Sequence, residues 1–207
     1  MVSVNVGRAA PLETGGGAVL SAIVKLPVDG PVAVRGVNLE GDDQADRRVH
    51  GGPDQAVYAY ASEDTAWWAA QLGRPLAPGV FGENLTLAGV DVSGARIGER
   101  WRVGSTELRV AGPRVPCFKL GARMGDRRFL KRFLRAGRPG AYLAITQEGE
   151  LQAGDAVEVV HRPEHGVGVA LVVDVLLLDR SRLGELAPAR GDMLPKLAGW
   201  YDELHPA

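Results

Sequence analysis

The sequence predicts a mainly β fold, a closed or folded antiparallel barrel with a few helices and a small helical C-terminal appendage. Three observations point there. Apolar and polar residues alternate with period two in several short runs, the pattern of half-buried strands. The chain of 207 residues holds 28 glycines and 13 prolines, which marks frequent turns and therefore short elements. After Gly166 the texture changes, and apolar residues recur at helical spacing.

In order along the chain, Val2, Val4 and Val6 alternate with Ser3 and Asn5, a first strand. A glycine turn at 15–17 leads into a second apolar run over 18–26. Residues 84–87 form a short strand before Gly89. Residues 101–103 and 108–110 flank Gly104 and Ser105, a hairpin. Residues 142–146, a turn at Glu148 and Gly149, and residues 156–160 close the series. Strands without regular helical alternation favour a barrel over a doubly wound sheet. Two helices interrupt them. Ser62 caps one over 63–72, ended by Gly73, and 127–136 places Phe129, Leu130, Phe133 and Leu134 on one face before Gly137. Residues 169–178, 182–186 and 193–204 are predicted as short C-terminal helices. The boundary falls near 163–166, giving a barrel domain over 1–163 and an extension over 167–207 that is too small for a core of its own.

Composition excludes several functions. Hydrophobic residues at 45% and charged residues at 24% describe a globular chain, and a net charge of −1 gives no overall attraction to nucleic acid polymers or anionic membranes. A single cysteine, Cys117, excludes an internal disulfide, a redox pair and any multi-cysteine metal cage. No secretory signal or spanning run is visible, so a cytoplasmic location is expected.

Two motifs fail on inspection. His161, Glu164 and His165 fit a metalloprotease spacing, but Pro163 opposes the helix which that chemistry needs. The acids at 42–46 hint at a calcium loop and lack its glycine and terminal glutamate. Three other segments remain. Residues 36–54 are a polar loop whose His50, Gly51 and Gly52 offer backbone N–H groups for an anion. Residues 81–86 bring Glu83 and Asn84 to the mouth of a strand. Residues 112–120 set Cys117 between Arg114 and Lys119, on a backbone held extended by Pro113 and Pro116. Neighbouring cations favour a thiolate, which is both a nucleophile and a soft metal ligand. Residues 112–135 carry eight cations against one acid, Asp126, a local excess suited to a phosphorylated ligand or an acidic protein.

Taken in order, Gly41-Asp42, Gln44-Ala45-Asp46-Arg47-Arg48-Val49-His50-Gly51-Gly52-Pro53-Asp54, Phe81-Gly82-Glu83-Asn84-Leu85 and Pro113-Arg114 with Pro116-Cys117 and Lys119-Leu120 resemble the molybdenum cofactor sulfurase C-terminal (MOSC) domain family. The YiiM-like branch is nearest. Gly140-Ala141-Tyr142 and the Glu148–Asp155 stretch fit the same pattern, so the motifs cover about residues 30–160, and the tail is similar to that branch's three-helix extension. The resemblance implies a MOSC-type β-barrel that binds the molybdenum cofactor, a molybdopterin with a phosphate. It implies Cys117 as metal ligand and catalytic residue, with His50 as the second catalytic residue. Arg47, Arg48, Gly51, Gly52, Arg114 and Lys119 are implied around the cofactor, with Glu83, Asn84 and Tyr142 in supporting places. The implied activity is reduction of N-hydroxylated compounds, hydroxylaminopurine-type base analogues among them, to amines. Electrons would come from an acidic donor protein of flavodoxin or ferredoxin type. Two other readings share the site: a sulfur carrier with a persulfide on Cys117, and a non-catalytic cofactor-binding protein.

Overall fold

The computed structural model describes residues 1–45 and 51–204. The expected site residues Arg47, Arg48 and His50 lie outside the described residues.

The strands, in chain order, begin with β1 (Ser3–Val6), β2 (Ala10–Thr14), β3 (Gly17–Ser21), β4 (Leu26–Val28), β5 (Val32–Arg35) and β6 (Asn38–Leu39). β7 (Val57–Ala61), α1 (Ser62–Leu72), β8 (Leu85–Leu87), β9 (Arg100–Val103) and β10 (Thr106–Pro113) follow. Then come α2 (Phe118–Met124), α3 (Phe129–Arg135), β11 (Ala141–Gln147), β12 (Gly149–Leu151) and β13 (Val157–His161). Eight strands form one sheet in the order β13-β9-β10-β11-β7-β8-β1-β4, which curls into a half-barrel. β12, β5 and β6 make a second small sheet, and β2 and β3 pair as a hairpin. Among the named strand pairs, only β7 and β8 run parallel, because α1 carries the chain back between them.

β7 divides the interior. Val57, Ala59 and Ala61 enter the main apolar cluster, while Tyr58 and Tyr60 face a second, aromatic one with Trp68, Phe81, Phe129 and Phe133. All five residues of β7 are buried, so large and small apolar residues alternate there and no polar face marks the strand in the sequence. The aromatic cluster seats α1 and α3 beneath the sheet. Trp68 and Phe129 have ring centroids 4.8 Å apart, Phe129 and Phe133 5.9 Å, and the Trp68 indole N–H donates to the Tyr60 hydroxyl at 3.0 Å.

Four expectations change in detail. The run over 18–26 is broken between β3 and β4. There the chain passes so close to Gly79 (φ +80°) that a Cβ at that glycine would lie 2.5 Å from the Lys25 carbonyl oxygen. Ser62 is the first helical residue rather than the cap, and its hydroxyl donates to Glu63 at 3.1 Å. The stretch after Cys117 winds into α2 instead of staying extended. The helix over 169–178 is α-helical only as α4 (Val169–Val173) and widens into a π-helical turn over Asp174–Leu178.

Beyond these, 3-10 turns span Arg180–Asp192, with Leu183, Leu186 and Ala189 buried at the three-residue spacing that stacks such turns on one face. α5 (Pro195–Leu204) completes the described chain. Val169, Val172, Val175, Leu176, Leu186 and Leu197 belong to the same apolar cluster as the inward residues of β9, β10 and β11. The C-terminal helices therefore share the core of the strands.

Candidate functional site

β10 ends in a register shift between Val110 and Gly112, which sets Gly112 opposite Tyr142 and Pro113 opposite Ala141. Such irregularities re-aim side chains at the end of a strand. Beyond it, Arg114, Val115 and Pro116 lead to Cys117, which is extended (φ −122°, ψ 168°) and immediately precedes α2. The loop that follows β10 thus carries Arg114, Cys117 and Lys119 onto the wall of one cleft, with Tyr142 from β11 beside them. The cleft is open to solvent on one side and has a volume of about 110 Å³.

Arg114 forms the floor. Its side chain is buried, donates a short hydrogen bond to the Phe81 carbonyl and lies 5.0 Å from the centroid of the Tyr58 ring. Burial opposes its charge, but the adjoining Tyr58, Tyr142 and Cys117 groups outweigh that penalty and hold its pKa above the usual value. Burial pushes the Tyr142 phenol up, with Arg114 pulling the other way, so Tyr142 keeps its proton at neutral pH. Its ring lies 5.2 Å from that of Tyr58.

Lys25 is a cleft residue that sequence reasoning missed. It makes a short, buried ion pair with Asp42, which also accepts from the Gly7 N–H at 2.8 Å and the Asn84 amide at 2.9 Å. Burial lowers the Lys25 pKa and Asp42 opposes the shift. The available signal was Lys25 itself, a single cation within an apolar run. Asp42 and Asp43 are likewise committed to protein partners: Asp43 accepts from the Ala9 N–H at 2.9 Å and pairs with Arg8 at 3.5 Å.

The remaining expected residues separate into wall and scaffold. Asn84 lines the cleft, but its amide is spent on Asp42, on the Asn5 carbonyl at 3.2 Å and on the Tyr58 N–H at 3.1 Å. Glu83 does not line it. Fully buried, Glu83 accepts from the N–H groups of Gly79 (2.6 Å) and Phe81 (3.0 Å) and from the Thr86 hydroxyl (3.0 Å), so it shapes the loop behind the cleft. Desolvation raises its pKa, against those hydrogen bonds.

Gly51 lines the cleft and Gly52 adjoins it, yet the expectation of open N–H groups is corrected. The Gly51 N–H donates to Gln55 Oε1 at 3.2 Å and the Gly52 N–H to Gln44 Oε1 at 3.3 Å. The fit is close: a Cβ on Gly51 (φ +101°) would stand 2.2 Å from Gln44 Oε1. Gln44 and Gln55, also unforeseen, thus fill the donors that an anion was expected to take. The histidine motif also proves structural, since His165 Nδ1 accepts from the Val167 N–H at 3.2 Å while Nε2 faces the Ile97 carbonyl at 3.0 Å.

Among the described residues no group of three or more His, Cys, Asp or Glu side chains is arranged to hold a metal ion. Among the described residues, a metal in this cleft finds one soft ligand, Cys117, which suits an ion that is already held by its cofactor. One half-buried thiol, flanked by Arg114 and Lys119, suits a metal that needs one soft ligand inside an anionic cofactor, so the residues present fit a molybdopterin.

Comparisons with known proteins identify the family. The MOSC domain family matches residues 46–158. The protein YflK of Bacillus subtilis is 36% identical over 169 residues, covering 82% of this chain and 76% of that protein. The protein YiiM of Escherichia coli is 34% identical over 146 residues, 69% of this chain and 65%, just under two thirds, of its own length. The crystal structure of YiiM from Geobacillus stearothermophilus superposes with a TM-score of 0.80 at 27% identity, over 98% of this chain and 97% of that one. With its curled sheet, its ordered motifs and a single thiol on the wall of a basic cleft, the chain belongs to the MOSC domain family, which is associated with the molybdenum cofactor.

Proposed function

We propose that this protein is a molybdenum-cofactor-dependent oxidoreductase that reduces N-hydroxylated compounds, hydroxylaminopurine-type base analogues among them, to amines. The observation that carries this reading is the placement of Cys117 on one cleft wall with Arg114, Lys119 and Tyr142. The overall change is R–NHOH plus two electrons and two protons to R–NH2 and water. Bound molybdenum supplies the two-electron exchange and Lewis acidity for N–O cleavage. The residues of the chain hold and orient. Cys117 offers a thiolate to the metal. Arg114 and Lys119 oppose the negative charge of the cofactor, and Arg114, pinned by Phe81 and Tyr58, does so from a preorganised position. Tyr142 keeps a proton at its phenolic oxygen beside the thiol, where the departing hydroxyl needs one. His50 is proposed for proton handling on sequence grounds, next to Gly51 of the wall.

The donor is proposed to be an acidic flavodoxin- or ferredoxin-type protein docking on the exposed cations of residues 127–135. These adjoin α2, the helix that starts beside Cys117, and α2 packs on α3.

Elemental analysis of wild type and Cys117→Ala, expressed in a cofactor-competent host, is the test. Wild type should carry molybdenum in proportion to protein and reduce 6-hydroxylaminopurine with a competent donor. Cys117→Ala should lose turnover and most of its molybdenum. Molybdenum retained equally in both proteins, or wild type loaded but inert, would overturn the reading. Extra mass of one sulfur atom on Cys117 would favour the sulfur-carrier alternative instead.

A further inference from the structure

A second cavity shares a wall with the basic cleft. It lies between the end of β10, the loop before α2 and the underside of α5, with a volume of about 370 Å³, in the range of small-molecule sites. Cys117, Tyr142, Val115 and Gln55 line both spaces. Cys117 therefore stands between two compartments of opposite character. One side presents Arg114, Lys119 and the Lys25–Asp42 pair; the other presents Pro113, Pro116, Phe118, Leu197 and Trp200.

The roof of the second compartment is built in rather than merely adjacent. The Lys196 N–H donates to Asp54 Oδ2 at 2.9 Å, and its ammonium donates to Gln55 Oε1 at 2.7 Å. The same Gln55 oxygen accepts from Gly51, so one side chain ties the first turn of α5 to the glycine turn of the basic cleft. Phe118 remains 55% exposed and Val115 40% exposed beside this space, apolar surface that a ligand would cover. Asp54 puts a carboxylate at its polar rim, an acceptor for ring or exocyclic N–H groups.

We infer that the cavity roofed by α5 is the substrate compartment, and that it selects planar aromatic or heteroaromatic N-hydroxylated compounds over small aliphatic ones. The inference rests on the reading under Proposed function and adds what that reading lacks, a place for the ring. Cofactor charge sits on the cationic side, the ring lies against Trp200 and Phe118, and the N–O group meets Cys117 and Tyr142 where the compartments join. The C-terminal extension is then part of the specificity apparatus.

Calorimetric titration of the purified, cofactor-loaded protein with benzamidoxime and acetamidoxime tests this without relying on turnover. Wild type should bind benzamidoxime far more tightly than acetamidoxime. Trp200→Ala should weaken benzamidoxime roughly tenfold while keeping its molybdenum, and Trp200→Phe should restore most of the affinity. Phe118→Ala, at an exposed position that leaves folding intact, should weaken it in the same direction. Equal affinity in wild type, Trp200→Ala and Phe118→Ala would overturn the compartment, whatever the protein reduces. Conversely, ring binding lost in those variants of a protein that carries no molybdenum and reduces nothing would uphold the compartment and overturn the reading it rests on.

Discussion

Lys25 and Asp42 show what a single buried residue costs and contributes. Both side chains are almost fully removed from water, and each has the other as its charge partner. Removing one partner of such a pair strands the other, at a cost of about 3–5 kcal/mol, whereas replacing both with neutral groups is far milder. Lys25→Met should therefore destabilise strongly in urea unfolding, and the double variant Lys25→Met/Asp42→Asn should recover much of the loss. The pH dependence has a definite sign. Because burial lowers the Lys25 pKa below 10.5, the unfolded chain holds a proton that the folded chain has released over the interval beneath that value. Stability from this group is complete above 10.5 and is lost as pH falls through the lowered folded value. Tyr58 and Tyr142, with raised pKa values, act in the opposite sense at alkaline pH. The stability difference between wild type and the double variant isolates the lysine, and it should rise as pH climbs toward 10.5. A flat difference would mean that the lysine is solvated, and a falling one that the attraction of Asp42 outweighs the cost of burial.

At the scale of elements, α3 faces two ways: Phe129 and Phe133 anchor it in the aromatic cluster, while Arg128 before it and Lys131 and Arg135 on it stay exposed. Charges on such a rim change association rate and salt dependence more than fold stability. Arg128→Glu/Lys131→Glu/Arg135→Glu should raise the KM for an acidic donor protein by roughly tenfold at low ionic strength, with no change in molybdenum content. The effect should shrink as salt is added; an unchanged KM would move the docking face elsewhere. This amphipathic helix was legible because its apolar residues recur with helical spacing, as were the alternating strands β1 and β13 and the β9–β10 hairpin. β7 was not, since burial on both faces erases alternation. Nor was α2, whose seven residues begin directly after the extended Pro116–Cys117 pair. The same limit governs the site. Arg114, Cys117, Lys119 and Tyr142 could be gathered from motifs, but Lys25 reaches the cleft only through tertiary approach, and the parts played by Gln44 and Gln55 depend on how their loop turns back on itself. Gly51 and Gly52 were read as open donors because the residue types alone do not reveal that the loop folds the amides of Gln55 and Gln44, four and eight residues away, back onto them.

For the molecule as a whole, α5 walls the second cavity and shares the core of the sheet, so the extension cannot be an independent module. Val172, Leu176, Leu186 and Leu197 lie in one apolar cluster with Trp101, Leu108 and Leu143 of the sheet. Neither half can keep its side of that cluster dry alone. Polar ties reinforce the join: Arg109 donates to the Asp192 carbonyl at 2.8 Å, and the Val169 N–H to the Ala95 carbonyl at 2.9 Å. A shared core implies shared cooperativity. The chain should unfold in urea as one transition, read identically by far-ultraviolet circular dichroism and by the fluorescence of a Trp67→Phe/Trp68→Phe/Trp101→Phe variant that keeps only Trp200 in α5. Because Trp68 and Trp101 are buried, that variant will have a lower midpoint, so the informative comparison is between the two probes within the one protein. Coincident curves would mean that the wall carried by α5 persists as long as the barrel does. An earlier loss of the Trp200 signal would mean that α5 detaches from the site while the strands remain folded.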